Sequence, residues 1–211
     1  MKNNLKGVLI TGLFIMFYMS TGCTNIVPIS ELEYEPLMSS PDLVKNKSTN
    51  IMIREIQDAR DVSKEEKGKA YIGKEVADTG WTAEKYFLEV NVEELLRIVL
   101  TKELARGGLH PIESATEDSP LFLDCKINDF WVRAGWFTKK LGAKVSIEMK
   151  LSDHENNELI LIKGNGHRDA FFRGGDIAKD MMEALNNSFK KAVQQCLTKI
   201  YVFIGKNSKH E

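Results

Sequence analysis

The sequence predicts an α+β domain, a mostly antiparallel sheet with two main helices packed on one face, preceded by an export signal and a tether. Three observations carry this expectation. Apolar residues recur at helical spacing in two stretches, 92–104 and 177–200. Between them Leu121, Leu123, Cys125 and Ile127, and then Val145, Ile147, Met149 and Leu151, alternate as half-buried strands do. Ahead of both lies a short charged segment, an apolar run and a cysteine.

Lys2 and Lys6 form a positive leader start, and Gly7 to Met19 is an apolar run too short to span a bilayer as a stable helix. Ser20-Thr21-Gly22-Cys23 resembles the lipobox of bacterial lipoprotein signals, with Ser20 where Leu is usual. That resemblance implies cleavage before Cys23 and two modifications of it, a thioether-linked diacylglycerol and a further N-acyl chain. Stable anchoring takes more than one chain. Thr24, rather than Asp, after the acylated residue implies release toward the outer membrane, with the folded part facing the periplasm.

Residues 24–50 contain Pro28, Pro36 and Pro41 among Ser, Asn and Lys, with no sustained period. They read as a flexible tether with an end-to-end distance of roughly 30 Å. The expected organisation is therefore a signal over 1–22, an acylated N-terminus and tether over 23–50, one domain over 51–205 and a polar tail over 206–211.

Bulk composition narrows the function classes. A chain of 211 residues with 43% hydrophobic and 28% charged residues has enough material for one core, so neither disorder nor a multi-span membrane protein is indicated. Loss of the leader removes Lys2 and Lys6 and no acid, leaving 27 basic residues against 30 acidic ones. Nucleic acid rewards a basic surface, so it is not an expected partner.

In chain order, Asn50 to Ile56 reads as a first strand, and Asp61 to Glu84 as a polar loop with Tyr71 and Trp81 embedded. Asn91 and Glu94 form a capping box before a helix whose Val92, Leu95, Leu96, Val99, Leu100 and Leu104 share one face, stopped by Gly107-Gly108. Leu109 to Ile112 is a short strand. The strand from Leu121 runs on through Val132 with a change of phase at Asp129-Phe130, the mark of a bulge. Val145 to Leu151 and Leu159 to Lys163 flank the turn residues Asp153 to Asn157. Asp176 caps the last helix, whose Ile177, Met181, Leu185, Phe189, Ala192, Cys196 and Ile200 face the core, with Gly205 near its end.

Cys125 lies on a strand face and Cys196 on a helix face, both directed at the same core. Packed layers stand about 10 Å apart, whereas a disulfide needs Cα atoms within about 7 Å, which favours two buried thiols over a bridge.

Asp58-x-Arg60 after the first strand, the helix end Leu104-Ala105-Arg106-Gly107-Gly108-Leu109, the long strand from Leu121 to Val132 and the final helix, read as Ala-rich, resemble the YajG-type bacterial lipoproteins. More distantly, the layout is similar to the periplasmic domains of CsgG-like and LpoB-like lipoproteins. The resemblance spans most of residues 50–204 and implies fold and location. It brings no assigned activity with it.

No constellation for catalysis stands out. His110, His154, His167 and His210 lack metal-ligand spacing, and no Cys-x-x-Cys occurs, so no metal or cofactor is expected. Gly164-Asn165-Gly166-His167-Arg168-Asp169 begins like a dinucleotide loop, but Asp169 replaces the last glycine and no helix starts there, so it reads as a strand end. Asp176 at the cap argues against an anion at Gly174-Gly175. Asp58 and Arg60 read as residues that fix the loop after the strand.

The segment Phe130-Trp131-Val132-Arg133-Ala134-Gly135-Trp136-Phe137-Thr138-Lys139-Lys140 places aromatics beside cations at a hairpin tip. Such a tip anchors a protein partner or sits at a headgroup layer, or else its tryptophans close the core. Trp136, Phe137, Lys139 and Lys140 are the candidate partner-binding residues. Phe171-Phe172-Arg173 is a smaller cluster that reads as core. The expected function is that of a non-catalytic envelope lipoprotein with a protein partner; the alternative, lipid handling or transport assistance, calls for an apolar cavity between sheet and helices.

Overall fold

In the computed structural model the described residues are 23–27, 49–61, 70–77, 82–114, 121–135, 138–171 and 176–207. They form one eight-stranded mixed sheet, curled into a half-barrel, with two helices on one face. The strands are β1 (Cys23–Val27), β2 (Thr49–Asp58), β3 (Tyr71–Val76), β4 (Thr82–Leu88), β5 (Leu109–Ile112), β6 (Leu121–Gly135), β7 (Lys140–Ser152) and β8 (Glu158–Phe171). The helices are α1 (Val92–Arg106) and α2 (Ile177–Asn207).

The expected α+β class holds, and its backbone is the long antiparallel ribbon β6–β7–β8. Around it, β3 and β4 are antiparallel, whereas β1 with β4, β2 with β5, β2 with β6 and β3 with β6 are parallel. One edge of β6 pairs with β7 along its length, and the other is shared by two strands. There β2 takes the stretch Leu121 to Ile127, and β3 takes Val132 to Gly135. The bulge in β6 leaves Asn128 without a register partner between Ile127 and Asp129, one residue ahead of the expected position. Phase reverses across it: Leu123, Cys125 and Ile127 are buried on one side, and Phe130, Val132 and Ala134 on the other.

Helix α1 buries the whole predicted stripe and packs on β2 and β5. Arg97 ties it down by donating to the Ile53 carbonyl at 2.9 Å, where β2 itself bulges. The capping box does not form. Asn91 has the extended backbone of an N-cap but makes no side-chain cap bond, and Glu93 of the first turn instead accepts the Asp58 N–H at 3.1 Å. Gly107 donates to the Glu103 carbonyl at 2.9 Å, and Gly108 takes the left-handed conformation (φ 85°) that ends helices.

Helix α2 lies across β6, β7 and β8. Asp176 caps it by accepting the Lys179 N–H at 3.1 Å. The helix sits directly on β8, because two residues beneath it lack side chains. A Cβ on Gly164 would stand 2.1 Å from the Ala192 carbonyl oxygen, and one on Gly166 would stand 1.7 Å from that of Ser188. The Gly164 to Asp169 run is thus the middle of a strand that continues past Lys163 to Phe171, and its glycines serve close packing. Cys125 and Cys196 are both buried and unpaired, as the layer spacing favoured.

Two further expectations fail. The region read as a loop from Asp61 to Glu84 holds strand β3 and the start of β4, which pair as a hairpin. Tyr71, Ile72, Tyr86 and Leu88 supply the apolar contacts, but Lys74, Glu75, Glu84 and Lys85 interrupt their alternation. The tether expected over 23–50 is shortened at both ends. Cys23–Val27 is strand β1, paired with β4, and β2 begins at Thr49; residues 28–48 lie outside the described residues.

Candidate functional site at the Cys23 end of the sheet

Cross-strand register carries a single level across the sheet near one end. Cys23 is opposite Glu84, Glu84 opposite Glu75, and Glu75 opposite Ala134; Ala134 is opposite Leu141, and Leu141 opposite Ala170. The candidate lipidation site therefore stands level with the last residues before the β6–β7 tip. Of the predicted tip residues, Lys139 and Lys140 are exposed, and Lys139 adopts φ 50° to close the turn. Thr138 steadies that turn, its hydroxyl donating to the Gly135 carbonyl at 3.2 Å and accepting the Lys140 N–H at 3.4 Å. Trp136 and Phe137 lie outside the described residues.

Phe171 is opposite Lys140 and is 70% exposed, which corrects its reading as core. Phe172 and Arg173 lie outside the described residues. Trp131, 37% exposed, is on the sheet face away from the helices, whereas its neighbour Phe130 is in the core against Phe189. Strand alternation explains the split. The exposure of Phe171 was legible in principle, since odd-numbered residues of β8 from Leu161 onward face out.

Glu75 and Glu84 face each other across β3 and β4. Burial, and then the charge of Glu84, raise the Glu75 carboxyl above its ordinary range. Glu84 accepts a hydrogen bond from the Tyr86 hydroxyl at 2.8 Å, and burial together with that carboxylate pushes the phenol up.

A second feature lies where β2 ends and β3 begins along the shared edge of β6. Ala59 donates to the Ile127 carbonyl at 2.9 Å, and the Arg60 guanidinium fills the space beyond. Its Nη1 donates to the carbonyls of Tyr71 (2.8 Å) and Phe130 (3.0 Å), while Nε and Nη2 bind the Asp58 carboxylate at 2.8 and 2.7 Å. The side chains of Arg60 and Asp58 are only 5% and 2% exposed, so the pair is a plug that satisfies backbone between two strands. This bears out the structural reading of Asp58 and Arg60. Beside the plug is an open cavity of about 400 Å³ lined by residues including Lys74, Asp129, Trp131 and Arg133. Its walls carry charges of both signs, and Asp129 is held by Lys144 at 2.8 Å.

Among the described residues no cluster of three His, Cys, Asp or Glu side chains is placed to hold a metal. His167 pairs with Asp169 at 2.8 Å on the exposed sheet face, away from any nucleophile named above. No described helix is long and apolar enough to cross a membrane. The arrangement offers contact surface and charge.

No family model matches the chain, and no curated protein matches it. Among solved structures, protein XCC0632 from Xanthomonas campestris, described as DUF330, aligns with a TM-score of 0.53 at 11% identity, covering 88% of this chain and 99% of that one. A putative lipoprotein from Caulobacter crescentus gives a TM-score of 0.36 at 16% identity over 65% of this chain and 90% of its own. Lipoprotein GNA1162 from Neisseria meningitidis gives 0.33 at 8% identity over 64% of this chain and 93% of its own. The first likeness shows a shared fold. Nothing in these likenesses singles out the YajG type.

Proposed function

We propose that the chain is a membrane-anchored bacterial lipoprotein whose non-catalytic periplasmic domain works by binding and supports envelope assembly or an envelope protein partner. Acyl chains on Cys23 hold it, in the outer membrane on the reading of Thr24, and the β6–β7 tip with Trp136, Phe137, Lys139 and Lys140 is its contact element. The YajG-type resemblance fits this reading. The observation that carries it is the position of the lipobox, Ser20 to Cys23, directly ahead of the first strand, so that the acylated residue is itself part of the sheet.

Lipid handling finds less support. It calls for an apolar cavity between sheet and helices, and α2 instead rests its backbone on Gly164 and Gly166. The cavity beside the plug mixes apolar walls (Tyr71, Trp131, Val132) with charges of both signs, and it opens at the strand gap along β6 instead of between sheet and helices. Labelled palmitate and membrane fractionation test the anchor: the Cys23→Ser chain is expected to fold, incorporate no label and leave the membrane fraction. Equal labelling of the two chains would overturn the lipoprotein reading.

A further inference from the structure

The strand register gives the sheet two well-defined ends. One is the level Cys23, Glu84, Glu75, Ala134, Leu141, Ala170; the other is the level Ile112, Met52, Phe122, Ser152, Glu158. Along β6 they are about 40 Å apart at roughly 3.3 Å per residue. The segments that connect strands at these two ends differ in chemistry. At the Cys23 end, residues 77–81 contain Trp81, residues 136–139 contain Trp136, Phe137 and Lys139, and residues 172–175 contain Phe172 and Arg173. At the other end, residues 113–120 and 153–157 hold Glu113, Glu117, Asp118, Asp153 and Glu155 with no Lys or Arg, and residues 28–48, which lead into β2, hold Glu31, Glu33, Glu35 and Asp42 against Lys45 and Lys47, with Tyr34.

Among the described side chains at the far end, Arg54 lies over the Phe122 ring at 5.0 Å, with its charge bound by Asp124. Phe171 is 70% exposed at the Cys23 end, beside exposed Lys140 and Lys139. Of the acids near this end, Asp176 sits on the α2 cap, Glu84 accepts from Tyr86 and exposed Asp169 pairs with His167, while Asp78 lies outside the described residues. Aromatic rings with cations are the side chains that the headgroup layer of a bilayer favours, and anionic lipid attracts the cations.

Resting on the lipoprotein reading, we infer that the Cys23 end of the sheet lies on the bilayer surface, with Phe171, Lys139 and Lys140 in the headgroup layer. Acylated Cys23 begins β1, so no spacer separates the lipid chains from the sheet. The five strand spacings from β1 to β8, at about 4.8 Å each, put Phe171 about 24 Å from the anchor along the sheet end and at nearly its height. A domain held this closely brings Phe171 and Lys140 to lipid whenever its strands stand upright. The acidic end then points away into the periplasm.

Spin labels on the full acylated protein, in vesicles of phosphatidylethanolamine and phosphatidylglycerol, test this. Labels go at Phe171→Cys and, as the control ten residues up the same strand, at Leu161→Cys, both exposed positions that tolerate change. Cys125 and Cys196 are buried in the fold and escape labelling. The expected result is loss of relaxation by a water-soluble nickel complex at 171, with relaxation by oxygen retained, while 161 keeps its nickel response. Mass spectrometry of the same sample reads the acylation of Cys23. Acylated protein with a nickel-accessible 171 label overturns this orientation and leaves the lipoprotein reading standing, whereas unmodified Cys23 removes both. A 171 label open to nickel in vesicles but shielded in native membranes assigns this end to a protein partner and also overturns the inference.

Discussion

Replacing Gly166 with Ala probes how closely α2 rests on β8. The new methyl would lie 1.7 Å from the Ser188 carbonyl oxygen and 2.4 Å from its carbon, and both are helix backbone, which no side-chain rotation can move aside. Ordinary contact lies near 3.5 Å, so the helix must retreat by well over an ångström. That retreat loosens Phe189, Ala192 and Cys196, all buried beneath it. Overpacking of a filled core costs about 1–3 kcal/mol, and a backbone clash on both sides belongs at the upper end, about 3 kcal/mol. For a domain of this size each kcal/mol is worth roughly 2–4 °C, so Tm should fall by about 6–12 °C. Circular dichroism of the mature chain during heating, with urea unfolding beside it, measures the change. Gly142→Ala is the control, because its Cβ would find the Asp169 carboxylate at an ordinary 3.5 Å and should leave Tm unchanged or slightly raised. Equal melting of the two variants would refute the direct seating of the helix.

Arg60→Ala leaves the Asp58 carboxylate buried without its partner and frees the Tyr71 and Phe130 carbonyls, so a loss of about 3–5 kcal/mol is expected in urea unfolding. Trp136→Ser combined with Phe137→Ser should keep the thermal transition and lose crosslinks formed in the membrane, since two core aromatics would each cost about 3–5 kcal/mol instead. Burial pushes the Cys196 thiol up to about 12 and raises Cys125 as well, first through desolvation. Unfolded thiols release their protons near pH 8.5, so above about pH 9 the unfolded chain is favoured by ~1.4 kcal/mol per pH unit for each thiol, until the folded thiols titrate. Stability is therefore complete below about pH 8 and falls as pH rises, and a urea midpoint unchanged between about pH 8 and pH 10 would contradict this.

Periodicity made the most regular elements legible. The α1 stripe, from Val92 to Leu104, emerges with every predicted residue buried, and the α2 stripe is buried from Met181 through Ile200, with Ile177 half-buried against the core. The ribbon β6–β7 was readable because each strand buries one face. Strands β3 and β4 were not, for a physical reason: Lys74 opposes Lys85 and Glu75 opposes Glu84, so charged residues occupy the strand positions that mark alternation. Strand β1 was hidden by Pro28 and by its short length. The parallel insertion of β2 and β3 along one edge of β6 depends on long-range pairing that no local pattern encodes. For the site, Cys23 and the tip were visible as motifs, but their common level on the sheet arises only from the register of six strands.

The sharing of β6 between β2 and β3 also divides the molecule thermodynamically. Strands β1, β4 and β3 reach the long ribbon mainly through the stretch Gly73–Val76 against Val132–Gly135, with Arg60 as the bond at its margin. The ribbon itself is held by α2 across three strands. Opening of the three-strand unit exposes fewer paired groups than global unfolding, so its amides are expected to exchange with solvent before those of the ribbon. Cys23 belongs to that unit. Tension applied at Cys23 is therefore expected to open this unit before the ribbon and its helix.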